Sequence, residues 1–205
     1  MQRLYGPNRT EPNRTEVIHF GMEKYQNKYR IPSTRAYWWD YGWNGAYSIT
    51  ICTQDRAHFF GEMADGKMHL SNTGVIADLL WHEIPYHQSF VELGDFVVMP
   101  NHIHGILILN KPAPVETLRA TSLHATPQSQ MAAISPKSNT IPTIIRSYKS
   151  AVTKHANRLG LPNGWQPRFY DHIIRNDAEY QRISDYIVNN PSNWQADKFY
   201  APSPP

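Results

Sequence analysis

The sequence has little of what several common protein classes need. Its single cysteine, Cys52, excludes an intramolecular disulfide framework and a cysteine-based zinc finger. No apolar run approaches the roughly 20 residues of a membrane span, and the first residues contain no apolar signal core. The formal net charge is only +3, so the overall charge does not by itself predict a nucleic-acid-binding protein. These absences predict a soluble protein of the cytoplasm.

The charge that is present is unevenly distributed. Residues 1–36 and residues 141–182 each carry seven basic and three acidic side chains, a net charge of +4 in both segments. If the fold brings basic segments together, they form a surface that faces phosphates; otherwise they are solvated helix faces. The candidate phosphate-binding residues are six of the seven basic residues of the second segment. They are Arg146, Lys149, Lys154, Arg158, Arg168 and Arg175.

Composition divides the chain into a central domain and flanking segments. Residues 1–45 are polar and then aromatic, which predicts an N-terminal extension, and residues 196–205 predict a C-terminal tail. Residues 46–195 carry the periodic patterns of a folded domain. Within it, residues 111–140 are rich in Pro, Ala, Ser and Thr and contain no aromatic residue, which predicts a long low-complexity loop.

Alternating and helical spacings predict the order β–α–β–β–α–β–α. Asp177 is the predicted N-cap of the last helix, which Pro191 would stop. The predicted strands are Tyr47–Thr53, Leu93–Met99, His102–Leu109 and Phe169–Ile174, and the predicted helices lie within 72–90, 144–159 and 177–190. This order fits an α+β, ferredoxin-like fold, a four-stranded antiparallel sheet with helices packed on one face.

A histidine pair is the most informative feature of the predicted third strand. Side chains alternate between the two faces of a strand, so His102 and His104 point the same way while Ile103 points into the core. Two imidazoles on one rigid strand can converge on one cation. The pattern is short, and two surface histidines on a half-exposed strand remain the alternative.

A tyrosine and an asparagine form the second candidate group, on the last helix. Tyr186 and Asn190 are four residues apart and therefore share one helical face. A phenol and an amide placed in this way can present a nucleophile and an oxygen ligand to one Mg²⁺-like ion. A core tyrosine is the alternative for Tyr186, and Tyr180 is the rival nucleophile.

Three ordered blocks resemble the IS200-like single-tyrosine transposases, most closely the branch of REP-associated tyrosine transposases. The blocks are Met99-Pro-Asn-His-Ile-His-Gly105, Trp165-Gln-Pro-Arg-Phe-Tyr-Asp-His-Ile-Ile-Arg-Asn176 and Asp185-Tyr-Ile-Val-Asn-Asn-Pro191. The resemblance covers residues 45–195 except the loop at 111–140. It implies an endonuclease of the HUH type, named for two histidines that flank a bulky apolar residue, here His102, Ile103 and His104.

The resemblance also implies roles for individual residues. His102 and His104 would bind Mg²⁺ or Mn²⁺, and Asn190 would take the place of a third ligand that is glutamine in better-known members. Tyr186 would attack DNA and keep a 5′-phosphotyrosine link. The implied substrate is single-stranded or hairpin DNA, which suggests association with the nucleoid. A homodimer in which the tyrosine helix serves the partner's metal site is one possible arrangement.

Two other functions compete with an active transposase or nickase. One is a protein that binds DNA hairpins and keeps the fold without cutting. The other is a metal-dependent hydrolase unrelated to DNA that uses further histidines such as His82, His87 and His172. The survival of both strand histidines and of Tyr186 argues against loss of cleavage. The carboxylate-rich spacing of hydrolase sites is missing, which argues against the second alternative.

Overall fold

The computed structural model describes residues 39–112 and 138–200, together with the backbone of two short strands, β1 (Lys24–Tyr25) and β2 (Lys28–Tyr29). Most of the predicted N-terminal extension and most of the predicted loop at 111–140 therefore lie outside the described residues. Among the described helices, none has both the length and the apolar character that crossing a membrane would need.

A four-stranded antiparallel sheet forms the centre of the domain and confirms the predicted α+β class. Its strands are β3 (Gly45–Cys52), β6 (Val91–Met99), β7 (His102–Leu109) and β8 (Tyr170–Ile174). They lie in the order β6–β7–β3–β8, and each neighbouring pair is antiparallel. The strand that carries the histidine pair is thus a central one, hydrogen-bonded on both sides.

Helices and a small hairpin connect these strands. The hairpin turns at Asp65-Gly66 and consists of β4 (Gly61–Ala64) and β5 (Lys67–Leu70). The α-helices are α1 (Asn72–His82), α2 (Ile84–His87), α3 (Ile141–Arg158) and α4 (Asp177–Asn189). Two 3₁₀ segments, Gln54–Arg56 and Pro191–Ala196, follow β3 and α4.

One face of the sheet is covered by α1 and α3 and holds most of the apolar core. Ile49 and Ile51 of β3 and Ile103 of β7 are fully buried there. Trp81 of α1 lies so close to β7 that a Cβ added at Gly105 would be only 2.4 Å from its ring. The glycine after the histidine pair therefore allows the helix to pack closely on the strand.

The opposite face of the sheet carries α4, and here the sequence prediction of helices on one face is wrong. Ile183 and Ile187 of α4 pack on Ala46, Ile106 and Ile174. These strand residues lie on the same face as His102 and His104, because side chains of even number in β7 all point to one side. Apolar spacing predicts that a helix buries one side, but it does not tell which face of a sheet receives it.

One helix boundary differs from the predictions and another agrees with them. The N-cap of α4 is Asn176 and not Asp177, because the Asn176 side chain accepts a hydrogen bond from the backbone N–H of Glu179 at 2.9 Å. The sequence also predicts that Pro85 kinks or ends the helix within 72–90, and the structure confirms this, because α1 ends at His82 and a separate short helix follows. Pro85 lies in the first turn of α2, where its missing N–H is tolerated.

Candidate metal and tyrosine site

Strand pairing places the two histidines side by side on the face that carries α4. In the register of β3 and β7, His102 lies opposite Cys52 and His104 lies opposite Thr50. Both imidazoles are buried, and their ring centroids are 4.5 Å apart. Ile103 lies in the core of the other face, as predicted. The histidines are therefore not two exposed residues of a half-open strand.

Each imidazole is oriented by a polar neighbour on its Nδ1 side. The Asn101 amide donates from Nδ2 to the carbonyl of Phe199 at 3.0 Å, so its Oδ1 accepts from His102 Nδ1 at 2.8 Å. His102 Nε2 then carries a lone pair, and it is buried without a hydrogen-bond partner among the described residues. On His104, the Nδ1 atom lies 2.8 Å from Thr50 Oγ1. Partners of this kind fix the ring orientation of histidines that bind metals.

Burial keeps both imidazoles neutral. Burial lowers the pKa of His104 to about 4, and the nearby Lys198 contributes in the same direction while Asp197 opposes it. Burial also holds the pKa of His102 well below its ordinary value, with a further contribution from the neighbouring His104. A neutral imidazole is the form that can donate a lone pair to a metal ion.

The phenol of Tyr186 reaches this histidine pair from α4. Its Oη lies 3.3 Å from His104 Nε2, and the two ring centroids are 5.1 Å apart. The side chain is 43% exposed, so the hydroxyl lies at the opening of the buried pair. Both residues belong to one chain, and the contact needs no second subunit.

Asn190, one turn after Tyr186, lies in the same place. It is almost completely buried, and its Oδ1 has no hydrogen-bond partner among the described residues. Its Nδ2 donates to Asp197 Oδ2 at 2.6 Å. The predicted face shared by Tyr186 and Asn190 is therefore present: both side chains donate to Asp197, and Tyr186 also reaches His104.

Asp197 joins the site from the segment that follows α4, and the sequence analysis did not single it out. Its Oδ2 also accepts from the Tyr186 hydroxyl at 2.6 Å, and its Oδ1 accepts from the backbone N–H of Phe199 at 2.6 Å. This segment was predicted to belong to a tail. A lone aspartate eleven residues after a tyrosine gives no signal in the sequence, because only the turn through Pro191 brings it back.

The C-terminal segment around Asp197 is fixed at two further points. Phe199 is buried, and its ring lies 4.9 Å from that of His102. The Arg56 guanidinium lies over the Phe199 ring at 5.2 Å and donates to the backbone carbonyl of Lys198 at 3.1 Å. The segment therefore closes one side of the site.

The hydrogen bond between Tyr186 and Asp197 shifts the pKa values of both groups in opposite directions. Burial is the largest cause that raises the pKa of Tyr186, and the bond to the Asp197 carboxylate raises it further. Burial alone would raise the pKa of Asp197, but the bonds from Tyr186, the Phe199 backbone and Asn190 outweigh it and lower that pKa. The resting pair is a neutral phenol that donates to a carboxylate.

The donor atoms of this site suit a hard or borderline divalent cation. Ligand atoms of His102, His104 and Asp197 all lie within 4.8 Å of one another, and the group could hold a metal ion. His102 Nε2 and Asn190 Oδ1 are buried without hydrogen-bond partners among the described residues. A bound cation would remove the free-energy cost of burying these polar atoms unpaired. Imidazole nitrogen with carboxylate and amide oxygen fits Mg²⁺ or Mn²⁺ better than a thiolate-preferring metal.

The rival residues named in the sequence analysis lie elsewhere. The Tyr180 hydroxyl lies against Gly94 of β6. In the part of the chain that the structure describes, the metal-capable group does not include His82, His87 or His172. His172 instead bonds through Nε2 to Glu179 at 2.7 Å.

The six candidate phosphate-binding residues do not lie on one surface. Arg146, Lys154 and Arg158 are exposed on α3, which packs on the face opposite the histidines. Lys149 is partly buried, and its Nζ donates to the backbone carbonyls of Gln166 and Arg168 at 2.7 and 3.0 Å. Exposed Arg168 therefore lies near Lys149. Exposed Arg175 precedes α4.

Two known proteins have sequences similar to this chain. Over 169 residues, the chain is 34% identical to an uncharacterized protein of Haemophilus influenzae, and the match covers 82% of this chain and 92% of that protein. A stretch of 32 residues, 16% of this chain, is 56% identical to 19% of the REP-associated tyrosine transposase of Escherichia coli K12.

A solved structure of the REP-associated tyrosine transposase bound to a REP hairpin matches with a TM-score of 0.49 and 21% identity. The match covers 78% of this chain and 73% of that one. No family model matches the chain.

Proposed function

We propose a DNA-cleaving function for this chain, which belongs to the same family as the Haemophilus influenzae protein and resembles the REP-associated tyrosine transposases. It would be an endonuclease and strand transferase that acts on single-stranded DNA beside a hairpin. Tyr186 would be the nucleophile, and His102, His104 and Asn190 would bind Mg²⁺ or Mn²⁺. The observation that carries the proposal is the approach of Tyr186 Oη to His104 Nε2, at 3.3 Å.

The chemistry requires one bond to form and one to break. Tyr186 Oη would bond to the phosphorus of a phosphodiester, and the bond from phosphorus to the 3′ oxygen would break. The 5′ phosphate would stay on Tyr186, and the released strand would end in a 3′-hydroxyl that can reverse the step. The phenol loses a proton and the leaving oxygen gains one, so charge balances.

The raised pKa of Tyr186 supports a role for a cation in the proposed reaction. A neutral phenol is a weak nucleophile. A divalent ion held by His102, His104 and Asn190 would supply Lewis-acid stabilisation of the charge that develops on the phosphate oxygens. The protein's own contribution is to keep both imidazoles neutral through burial and to hold them in place through Asn101 and Thr50.

Phosphate contacts are proposed to concentrate on the side of the sheet that carries the site. Arg56 and exposed Lys198 flank Phe199 next to the histidines. Of the six residues predicted from sequence, exposed Arg168 lies beside Lys149, near the end of β3 that carries Cys52, whereas Lys149 itself is partly buried and bonded to two backbone carbonyls. Arg146, Lys154 and Arg158 would be reached only by DNA that continues around the domain edge, and Arg175 by DNA that follows α4.

The test is a search for a covalent adduct. A labelled DNA hairpin with a single-stranded flank is incubated with the protein and Mg²⁺ or Mn²⁺ and then denatured. We expect an adduct that disappears with EDTA and in Tyr186→Phe. Tyr180→Phe is the matched control, since it makes the same chemical change on the same helix away from the histidines.

The same assay separates the three remaining alternatives. Hairpin binding by the wild-type chain without any adduct would favour the non-cleaving hairpin-binding protein. An adduct that persists in Tyr186→Phe but disappears in Tyr180→Phe would move the nucleophile to Tyr180. A metal-dependent hydrolase unrelated to DNA would bind neither hairpin nor flank.

A further inference from the structure

Asp197 makes more hydrogen bonds within the site than any of the residues predicted from sequence. One oxygen of its carboxylate, Oδ2, accepts from the Tyr186 hydroxyl and from the Asn190 amide, each at 2.6 Å. The other oxygen accepts from the backbone N–H of Phe199 at 2.6 Å. All three partners are donors, which is the pattern of an ionised carboxylate.

The two side chains that share Oδ2 would be poorly fixed without it. Tyr186 is 43% exposed, and its contact to His104 Nε2 is long at 3.3 Å. The Asn190 amide also bonds to the phenol, but it depends on the same carboxylate. For the Asn190 amide, the described residues provide no partner on Oδ1, so its orientation depends on the bond from Nδ2. A single carboxylate oxygen thus sets the direction of the phenol and of the amide oxygen.

Asp197 is itself held from outside the site. The backbone on its C-terminal side is bound by Asn101 Nδ2 at the Phe199 carbonyl and by Arg56 Nη1 at the Lys198 carbonyl. Asn101 also orients His102 through its Oδ1. The same amide therefore connects the imidazole of β7 to the segment that carries Asp197.

We infer that Asp197 is a positioning residue of this site, whose carboxylate orients the Tyr186 phenol and the Asn190 amide together. The inference rests on the proposed function for its kinetic consequence. Its structural consequence is independent of DNA: the phenol has a preferred direction only while the carboxylate accepts from it. Asparagine at 197 would offer one acceptor oxygen in place of two and would turn an N–H group toward other donors.

The kinetic test uses Asp197→Asn in the full chain, with a hairpin substrate and Mn²⁺ at saturating concentrations. We expect the rate constant of adduct formation to fall about 10- to 100-fold, the range for loss of a hydrogen bond to a charged group. The hairpin concentration at half-saturation should change by no more than about threefold, because binding contacts are unaffected. A residue that only supports the segment would change half-saturation and thermal stability and leave the saturated rate intact.

A matched control and a second variant complete the kinetic test. Asp185→Asn makes the same chemical change on α4 at an exposed side chain that bonds to Gln181, and it should behave as wild type. If Asp197→Asn no longer unfolds cooperatively, Asp197→Glu takes its place in the test. This variant keeps the charge but displaces the carboxylate by one methylene, and the same criteria apply. A saturated rate within about threefold of wild type in the folded variant would overturn the inference.

A second measurement reads the phenol directly and needs no DNA. With 3-fluorotyrosine placed at position 186, the fluorine NMR resonance should shift clearly in Asp197→Asn and hardly at all in Asp185→Asn. Equal spectra for the two variants would overturn the inference even if the wild-type chain cleaves DNA. A shift confined to Asp197→Asn in a protein that forms no adduct would support the inference while refuting the proposed function.

Discussion

The two faces of the sheet are built on different principles, although a single strand contributes to both. Toward α1 and α3, β7 presents Ile103 and Leu107 to a dense apolar core. Toward α4, the same strand presents two imidazoles whose neighbours are an amide, a hydroxyl and a phenol. Among the described residues, the apolar face keeps one buried polar atom without a partner, Trp81 Nε1, while the face that carries α4 keeps two in one site, His102 Nε2 and Asn190 Oδ1. Unpaired buried polar atoms cost stability, and a cation bound at the site would offset that cost for His102 Nε2 and Asn190 Oδ1.

Removing an imidazole from the face that carries α4 should have the largest effect on the proposed cleavage. We expect His102→Ala to lower adduct formation by at least about 1000-fold, because several kcal/mol of charge stabilisation depend on the cation that it would hold. Hairpin affinity in a gel-shift assay should stay within about threefold, since the buried ring offers DNA no contact. His82→Ala, an exposed histidine on α1, is the control, and total loss of binding in His102→Ala would contradict a purely catalytic role.

Lowering the pH should reduce the free energy of unfolding through the two histidines on the face that carries α4. The pKa of His104 is lowered to about 4 in the folded chain, whereas an unfolded histidine titrates near its ordinary value of 6.5. The unfolded state therefore binds more protons between these values, and stability is lost as the pH falls. From pH 7 to pH 5 we expect about 2 kcal/mol less unfolding free energy from His104, with His102 adding in the same direction.

Urea unfolding of the wild type and of His104→Gln at both pH values measures this contribution. Glutamine cannot take up the proton, so the variant should lose about 2 kcal/mol less than wild type. An identical pH dependence in the two proteins would mean that His104 is not held neutral by burial.

The apolar face can be disturbed at Gly105 without touching a polar group. A methyl group there would meet the Trp81 ring at 2.4 Å, so Gly105→Ala should destabilise the fold by about 1–3 kcal/mol. The adduct rate of the folded fraction should change little. Gly164→Ala is the control, because its added Cβ would meet only side-chain atoms of Gln54 and Phe59, at 3.2 Å or more. Equal unfolding curves for the two variants would contradict close packing at Gly105.

The smallest expected effect is on the affinity for hairpin DNA, and it tests which face of the sheet the DNA contacts. Lys198→Ala should weaken hairpin binding about threefold and lower the slope of log affinity against log salt by about 1, as expected for one lost phosphate contact. Lys154→Ala, on the helix of the apolar face, should have the smaller effect. A larger loss in Lys154→Ala would place the DNA across α3 instead.

The sequence allowed much of the fold and part of the site to be predicted, for identifiable physical reasons. The period of two in a strand places His102 and His104 on one side whatever the rest of the chain does. The period of the helix places Tyr186 and Asn190 together in the same way. Both patterns are local, and both relations are present in the structure.

What could not be predicted depends on long-range placement. The apolar positions Ile183 and Ile187 predict a buried helix side, yet the sheet face that receives it is decided by Ala46, Ile106 and Ile174 in distant strands. Asp197 reaches Tyr186 only because the backbone turns after Pro191 and is then held by Asn101. No spacing rule connects residues 101, 186 and 197.

The contact between Tyr186 and His104 lies within one polypeptide. Its geometry is therefore set by folding and not by mass action between copies. On the proposed function, the rate of adduct formation per chain should therefore not fall on dilution, and adding Tyr186→Phe should not disable the wild-type chain. The described residues of one chain hold phenol, imidazoles, amide and carboxylate together.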